Sequence, residues 1–214
     1  MKRIFPILLI VFLLFPAISL SENKCPPEGD GGDPTLNRLK NRTGVPASYE
    51  EMDVDHFIEE FPYLFTPLFR SDFSQGQRQY FKKKENRGIS LVGYILAARL
   101  SPPDSTNCHS KTKRDINLYI GESFPDSEQE AETMMTDSAK VELTPKGQAL
   151  HATWNLQLLE QLAKQVAKVR VSGWLLYDSL DLDRNLLGET RGTLWEIDPV
   201  TKIEVWKDEK WQAL

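Results

Sequence analysis

The amino-acid sequence predicts a mainly β protein, in which short strands form a small barrel with one core helix. Strand-like alternation of apolar and polar residues recurs from residue 88 onwards, and one stretch near residue 160 switches to helical periodicity. Glycines also interrupt two of the strands. A glycine inside a strand is typical of a bulge or sharp bend, which a closing barrel needs.

Three strands are predicted before the helix. The first is ISLVGYILAARL, with Gly93 inside it, and a long polar loop follows. In the second, Ile116, Leu118 and Ile120 alternate with polar neighbours, which indicates a half-buried strand. The third is the short stretch KVELT, which ends at Pro145.

An amphipathic helix and two further strands complete the pattern. Trp154, Leu158, Leu162 and Val166 recur every fourth residue and predict the apolar stripe of the helix. The fourth strand, KVRVSGWLLYD, contains Gly173. RGTLWEI and KIEVW flank DPVT, whose Asp-Pro step fits a type I turn, so we predict a hairpin there.

This β-β-β-α-β-β order is that of an oligonucleotide/oligosaccharide-binding (OB) barrel. We therefore predict an OB-like β-barrel domain over residues 88–214, with a small α+β sheet as the main alternative. Residues 22–87 are predicted to be an extended N-terminal arm with short helices and an aromatic-rich segment that packs on the barrel. One of these helices is expected from about Asp53 to Glu60.

The start of the chain resembles a secretory signal peptide. Lys2 and Arg3 precede an apolar run from Ile7 to Phe15, and small residues follow. We predict a signal peptide over residues 1–21 and an exported protein, periplasmic or extracellular, with an uncleaved anchor as the alternative. No membrane span is expected after cleavage. In an oxidising compartment Cys25 and Cys108 could form a disulfide; the alternative is two free thiols.

The charge balance argues against one class of partner. The chain has 26 Lys and Arg against 31 Asp and Glu, a formal net charge of −5. An acidic chain is a poor candidate for non-specific nucleic-acid binding, which depends on Lys and Arg neutralising phosphates. The sequence also lacks G-x-S-x-G, H-E-x-x-H, C-x-x-C and a phosphate-binding glycine loop. We therefore predict no cofactor, no catalytic residues and a non-enzymatic binding module.

The candidate ligand residues lie mainly in the loop between the first two strands, which OB barrels use to bind ligands. The ligand itself is expected to be a glycan, a peptide or another envelope protein, and the loop from Asp178 to Arg191 would complete its site. The candidates are Asn107, His109, Lys111, Lys113, Arg114, Asp115 and Asn117, with Glu196 on the fifth strand.

Two alternative functions remain open. The first is a metal-assisted hydrolase or nuclease-like enzyme, because oxygen ligands suit hard cations and several carboxylates fall near the barrel mouth. Its metal ligands would be Asp178, Asp181, Asp183, Glu196 and Asp198, which must then converge. In the alternative to metal binding, these acids have only a structural role: Asp198 begins a turn, and the acidic loop is solvated. The second alternative is a structural envelope protein with the arm as a docking strap.

Several segments resemble a group of exported bacterial proteins with an OB-like barrel and no well-defined activity. They are GYILAARL, NCH at 107 to 109, DINL, VELTP, VRVSGWLLYD, LWEIDPVTKIEV and the arm motif LNRLKNR, and they span roughly residues 33 to 206. In that group a histidine usually stands where this chain has Asn117 and Asp198. The resemblance therefore implies the fold and export, and it does not carry over a histidine-based site.

Overall fold

The computed structural model describes residues 25–183 and 191–214. The predicted signal peptide, residues 1–21, lies outside them. The described elements are α1 (Pro34–Lys40), β1 (Tyr49–Asp53), α2 (Val54–Glu60), α3 (Gln75–Lys84), β2 (Gly88–Leu100), β3 (Ile116–Gly121), α4 (Glu128–Met134), β4 (Ala139–Leu143), α5 (Pro145–Leu150), α6 (Leu156–Lys164), β5 (Lys168–Tyr177), β6 (Trp195–Lys207) and β7 (Lys210–Ala213). Among these helices none is long and apolar enough to cross a membrane.

Five strands close into a barrel in the order β2-β3-β4-β6-β5, with β5 pairing back to β2. The β4–β6 pair is parallel, and the other four pairs of the barrel are antiparallel. α5 and α6 lie between the third and fourth barrel strands. This is the strand and helix order predicted for an OB-like barrel, so the predicted fold class is confirmed.

The two strand glycines lie where the barrel bends. β2 changes its partner from β5 to β3 at Tyr94, next to Gly93. A Cβ on Gly93 would lie 2.6 Å from the carbonyl oxygen of Gly121. The register between β5 and β6 shifts on both sides of Gly173, where a Cβ would lie 2.4 Å from the Pro199 carbonyl oxygen. Both positions therefore need a residue without a side chain.

The predicted hairpin at DPVT is wrong. β6 runs from Trp195 to Lys207 and contains the cis Asp198–Pro199 peptide. Proline is tolerated there because it falls within the irregular pairing with β5, where ladder hydrogen bonds are interrupted. The hairpin instead joins β6 to β7 through Asp208 and Glu209, both with positive φ. Asp198 therefore begins no turn, and its side chain is fully buried.

The core helix is shorter than its predicted apolar stripe. α6 spans Leu156–Lys164, and the Asn155 side chain caps it by accepting a hydrogen bond from the Leu158 amide. Trp154 lies before the helix and Val166, with positive φ, lies after it. The stripe therefore continues through the chain segments that flank the helix.

The arm packs on its own barrel. β1 extends the sheet by pairing in parallel with β2. Phe57 and Phe61 are buried, and the Phe61 ring lies 5.5 Å from the ring of Trp195 on β6. α1 is capped by Asp33, whose carboxylate accepts hydrogen bonds from the backbone amides of Thr35 and Leu36. These contacts hold the arm on the barrel, and α1 lies against β6.

Candidate functional site

Charged side chains cover one part of the outer barrel face. Lys140 and Glu142 lie on β4, and Glu196 and Asp198 lie on β6; residues two apart on a strand share a face. The two strands run in parallel, with Lys140 opposite Glu196. All four side chains are buried, with Glu196 and Asp198 at 0% exposure. Such burial is costly unless the charges are paired.

Two cations of the barrel domain pair with these acids. Lys140 Nζ lies 2.8 Å from a Glu196 oxygen, 2.8 Å from Asp181 and 3.4 Å from Glu142. Arg191 Nη1 lies 2.8 Å from the same Glu196 oxygen, and Nη2 lies 3.1 Å from Asp181. Glu196 and Asp181 are therefore held between the same two cations.

The third cation comes from the arm. Lys40, at the C-terminal end of α1, places its Nζ 2.6 Å from Asp178 and 2.8 Å from Glu142. The same nitrogen lies 3.4 Å from Glu196 and 3.5 Å from Asp198. We call the eight residues together the charge cluster: Lys40, Lys140, Glu142, Asp178, Asp181, Arg191, Glu196 and Asp198.

The charge cluster is not neutral unless some acids are protonated, because its five carboxylates face three cations. Burial raises the pKa of Asp198 well above its ordinary range, and the neighbouring Glu142 adds to this shift. Although burial opposes it, the ammonium groups of Lys140 and Lys40 lower the pKa of Glu142. A proton on this pair of carboxyl groups is therefore favoured on Asp198, and Glu142 is favoured as the carboxylate.

A cavity of about 280 Å³ opens in front of the charge cluster, and we call it the ligand cavity to mark it as a candidate binding site. Its walls come from the second and third barrel strands, from the loops after β2 and β5, and from α1. OB barrels bind their ligands at this same face and with these same two loops. The charged and amide side chains in the wall are Asn37, Lys40, Asp104, Asn117, Lys140, Glu142, Asp178 and Asp181. Glu196 and Asp198 lie behind this wall.

A disulfide joins the two sides of the ligand cavity. Cys25 of the arm and Cys108 of the loop after β2 are bonded, with their Cα atoms 5.7 Å apart. Beside the bond, the Asp30 amide donates to the Ser105 carbonyl at 2.8 Å, and Asn37 Oδ1 accepts from Thr106 Oγ1 at 3.0 Å. The disulfide is consistent with an oxidising compartment. It fixes the wall that α1 and the loop build together.

Of the predicted ligand residues, Asn117 lines the ligand cavity, and its Oδ1 accepts no hydrogen bond from any described residue. Asp115 is buried beside the cavity, and its Oδ2 accepts a hydrogen bond from Asn107 at 2.6 Å. Burial raises the pKa of Asp115 well above its ordinary range, and the nearby Glu142 contributes. Asn107 and Asp115 therefore support the loop.

The other loop candidates lie away from the cavity. His109 Nε2 lies 2.9 Å from the Asp30 carbonyl oxygen, and Arg114 donates hydrogen bonds to the backbone carbonyls of Ser101 and Leu100. Lys111 and Lys113 are exposed. The loop that sequence reasoning singled out thus serves mostly as a wall.

The carboxylates of the metal hypothesis do converge. One oxygen each of Asp178, Asp181 and Glu196 lie within 4.8 Å of one another, as do oxygens of Glu142, Glu196 and Asp198. The Asp183 side chain lies outside the described part of the structure. Lys40 Nζ, however, lies within 3.5 Å of every member of the second group. An ammonium group therefore occupies the place that a cation would take there.

Sequence reasoning did not single out Lys40, Lys140, Glu142 or Arg191. One signal in the sequence could have indicated Lys140 and Glu142. KVEL and WEID both place two charged residues two positions apart, so that each pair lies on one face of its strand. Lys40 offers no such signal because its partner Glu142 is 102 residues away.

Fold and site together define an OB-like barrel with a buried charge cluster built around β4 and β6, completed by an N-terminal arm. No known family model matches the chain, and no curated protein or solved structure is significantly similar to it. The function must therefore be argued from the site itself.

Proposed function

We propose that this protein is an exported binding module that holds a small polar ligand in the ligand cavity. The observation that carries the proposal is the position of this cavity, on the barrel face and between the two loops with which OB barrels bind ligands. Membership of the exported bacterial group that the sequence resembles is part of the proposal and rests on that resemblance.

The chemistry of the wall favours a hydroxyl-rich ligand, such as the terminal sugar of a glycan. The wall offers carboxylate acceptors, two ammonium groups and the Asn117 amide oxygen, which accepts no hydrogen bond from a described residue, within one small space. Its ion pairs hold these groups in place, so that little side-chain entropy is lost on binding. The excess of carboxylates disfavours phosphate, and a volume of about 280 Å³ suits a single small unit.

The proposal is tested by titrating the protein with neutral and amino-substituted monosaccharides while following its backbone amide resonances. We expect saturable shifts around Asn117, Lys140 and Glu142. Asn117→Ala should weaken binding about three- to tenfold, the cost of one hydrogen bond. Gln129→Ala, which removes an exposed amide on α4 outside both cavities, is the control and should leave affinity unchanged. The proposal would be contradicted if no sugar bound, or if both variants bound sugar with the affinity of the wild type.

A metal-assisted hydrolase is the second candidate, supported by the convergence of the carboxylates. A divalent ion would have to displace the Lys40 ammonium group. We therefore expect the wild-type protein to bind Mn²⁺ no more tightly than about millimolar, the weak end of protein sites for hard cations. Lys40→Met should bind it more tightly. Paramagnetic resonance of free Mn²⁺ measures both; micromolar binding by wild type, abolished in Glu142→Gln, would favour the hydrolase.

The docking-strap alternative has less support. Lys40, Cys25 and Phe57 all attach the arm to the barrel of the same chain. An arm that already packs on its own barrel has less surface with which to bind another protein.

A further inference from the structure

A second cavity, of about 370 Å³, lies between α1 and α3. Phe73 and Phe81, each 2% exposed, form an apolar floor together with Leu39 of α1. Its lining shares no residue with that of the ligand cavity. Its size falls at the lower end of ordinary small-molecule pockets, about 300–1,000 Å³.

The charges around the second cavity are mainly positive. Arg70, Arg78 and Lys82 line it, with Glu85 as the one acid in the lining. Arg70 neutralises Glu85, because its Nη1 and Nη2 donate to the two carboxylate oxygens at 2.9 and 2.5 Å. Arg78 and Lys82 form no ion pair within the described part of the chain, so their two positive charges remain.

One buried donor in this lining lacks a partner. The Arg70 side chain is 6% exposed, and its Nε donates to no described residue. Its two terminal nitrogens are occupied by Glu85 and by the Tyr177 carbonyl oxygen. A buried donor without an acceptor is unfavourable, and an anionic oxygen is its best partner.

We propose that the second cavity binds a small carboxylate amphiphile, with one anionic headgroup and a short apolar tail. The tail packs over Phe73, Phe81 and Leu39, and its own methylenes are thereby removed from water. The headgroup lies near Arg78 and Lys82 and offers an acceptor to Arg70 Nε. This ligand differs from that of the ligand cavity, where carboxylates are in excess.

The first test is isothermal titration with hexanoate, octanoate and decanoate, and with decan-1-ol as the uncharged analogue. We expect one saturable site, with affinity rising by up to about fourfold per methylene, the value of burying one such group. Decan-1-ol should bind about five- to tenfold more weakly, since it cannot use the two rim charges. No saturable decanoate binding, or equal affinity for decan-1-ol, would overturn the proposal.

A matched pair of variants then locates the site. Lys82 lines the second cavity, whereas its exposed neighbour Lys83 does not. Lys82→Gln should weaken decanoate binding about two- to fivefold and leave decan-1-ol unaffected, while Lys83→Gln should change neither. The Arg70 Nε–H resonance should shift on addition of decanoate. An equal effect of both lysine variants, or weaker decanoate binding in Asn117→Ala, would place the probe elsewhere and refute the assignment.

Discussion

Replacing Lys40 with methionine is expected to lower the free energy of unfolding by about 3–5 kcal/mol, the usual cost of removing one partner from a buried ion pair. Lys40 Nζ lies within 3.5 Å of four carboxylates, Glu142, Asp178, Glu196 and Asp198. Methionine fills a similar volume but supplies no charge. The four acids would then face one another without the ammonium group that now separates them. Urea unfolding at pH 7.5 measures the loss.

This loss should be larger at pH 7.5 than at pH 5. In the wild type, the two lysines lower the pKa of Glu142 despite its burial. Its stabilisation is therefore present above the unfolded pKa, about 4.3, and is lost only as the pH falls towards the lower folded value. Without Lys40, burial raises the folded pKa values of these acids. A raised folded pKa stabilises at low pH, and that stabilisation disappears as the pH rises through it.

Lys83→Met is the matched control for Lys40→Met, because Lys83 is exposed on α3. Its unfolding free energy should stay within about 0.5 kcal/mol of wild type at both pH values. A Lys40→Met variant that loses less than about 1 kcal/mol, or loses the same amount at both pH values, would show that the arm does not neutralise the cluster.

Replacing both Cys25 and Cys108 with serine is expected to lower the unfolding free energy by about 2–5 kcal/mol. The disulfide joins residues 83 positions apart, and opening so long a loop increases the freedom of the unfolded chain. Amide exchange should rise first in α1 and in residues 101–109, because the bond holds these two walls of the ligand cavity together. Denaturant unfolding and hydrogen exchange measure the two effects.

Wild type treated with a phosphine reductant is the control for the serine variant and should match it in both measurements. Unchanged stability in the variant would mean that the arm is held by Lys40 and β1 alone. Faster amide hydrogen exchange in β4 and β6, with exchange in α1 unchanged, would contradict the prediction that α1 and the loop are affected first.

The barrel was predictable because its signals are local. Alternation along β3 and the interior glycines of β2 and β5 each lie within one element, and the helical stripe near residue 160 covers α6 and the residues next to it. The hairpin predicted at Asp198 was wrong because it, too, rested on a local signal alone. An Asp-Pro step favours a turn by local rules, but here β6 continues through it because pairing with β5 outweighs local preference.

The charge cluster was largely hidden because its contacts join distant parts of the chain. Glu196 was recognised as unusual, yet Lys140 is 56 positions before it and Lys40 lies in the arm. Nothing in a stretch such as LNRLKNR distinguishes a lysine that is buried from one in solvent. The ends of α6 were misjudged because apolar residues beyond a helix can continue its stripe.

The charge cluster also constrains how this protein can change over generations. Each cation touches at least two acids, so a single replacement leaves a buried charge without its counterpart, whereas a paired replacement need not. Descendant sequences should therefore keep these eight positions together or exchange them in compensating sets. Lys40 belongs to such a set although it lies outside the barrel. Substitutions in the arm and in the barrel are therefore expected to depend on each other.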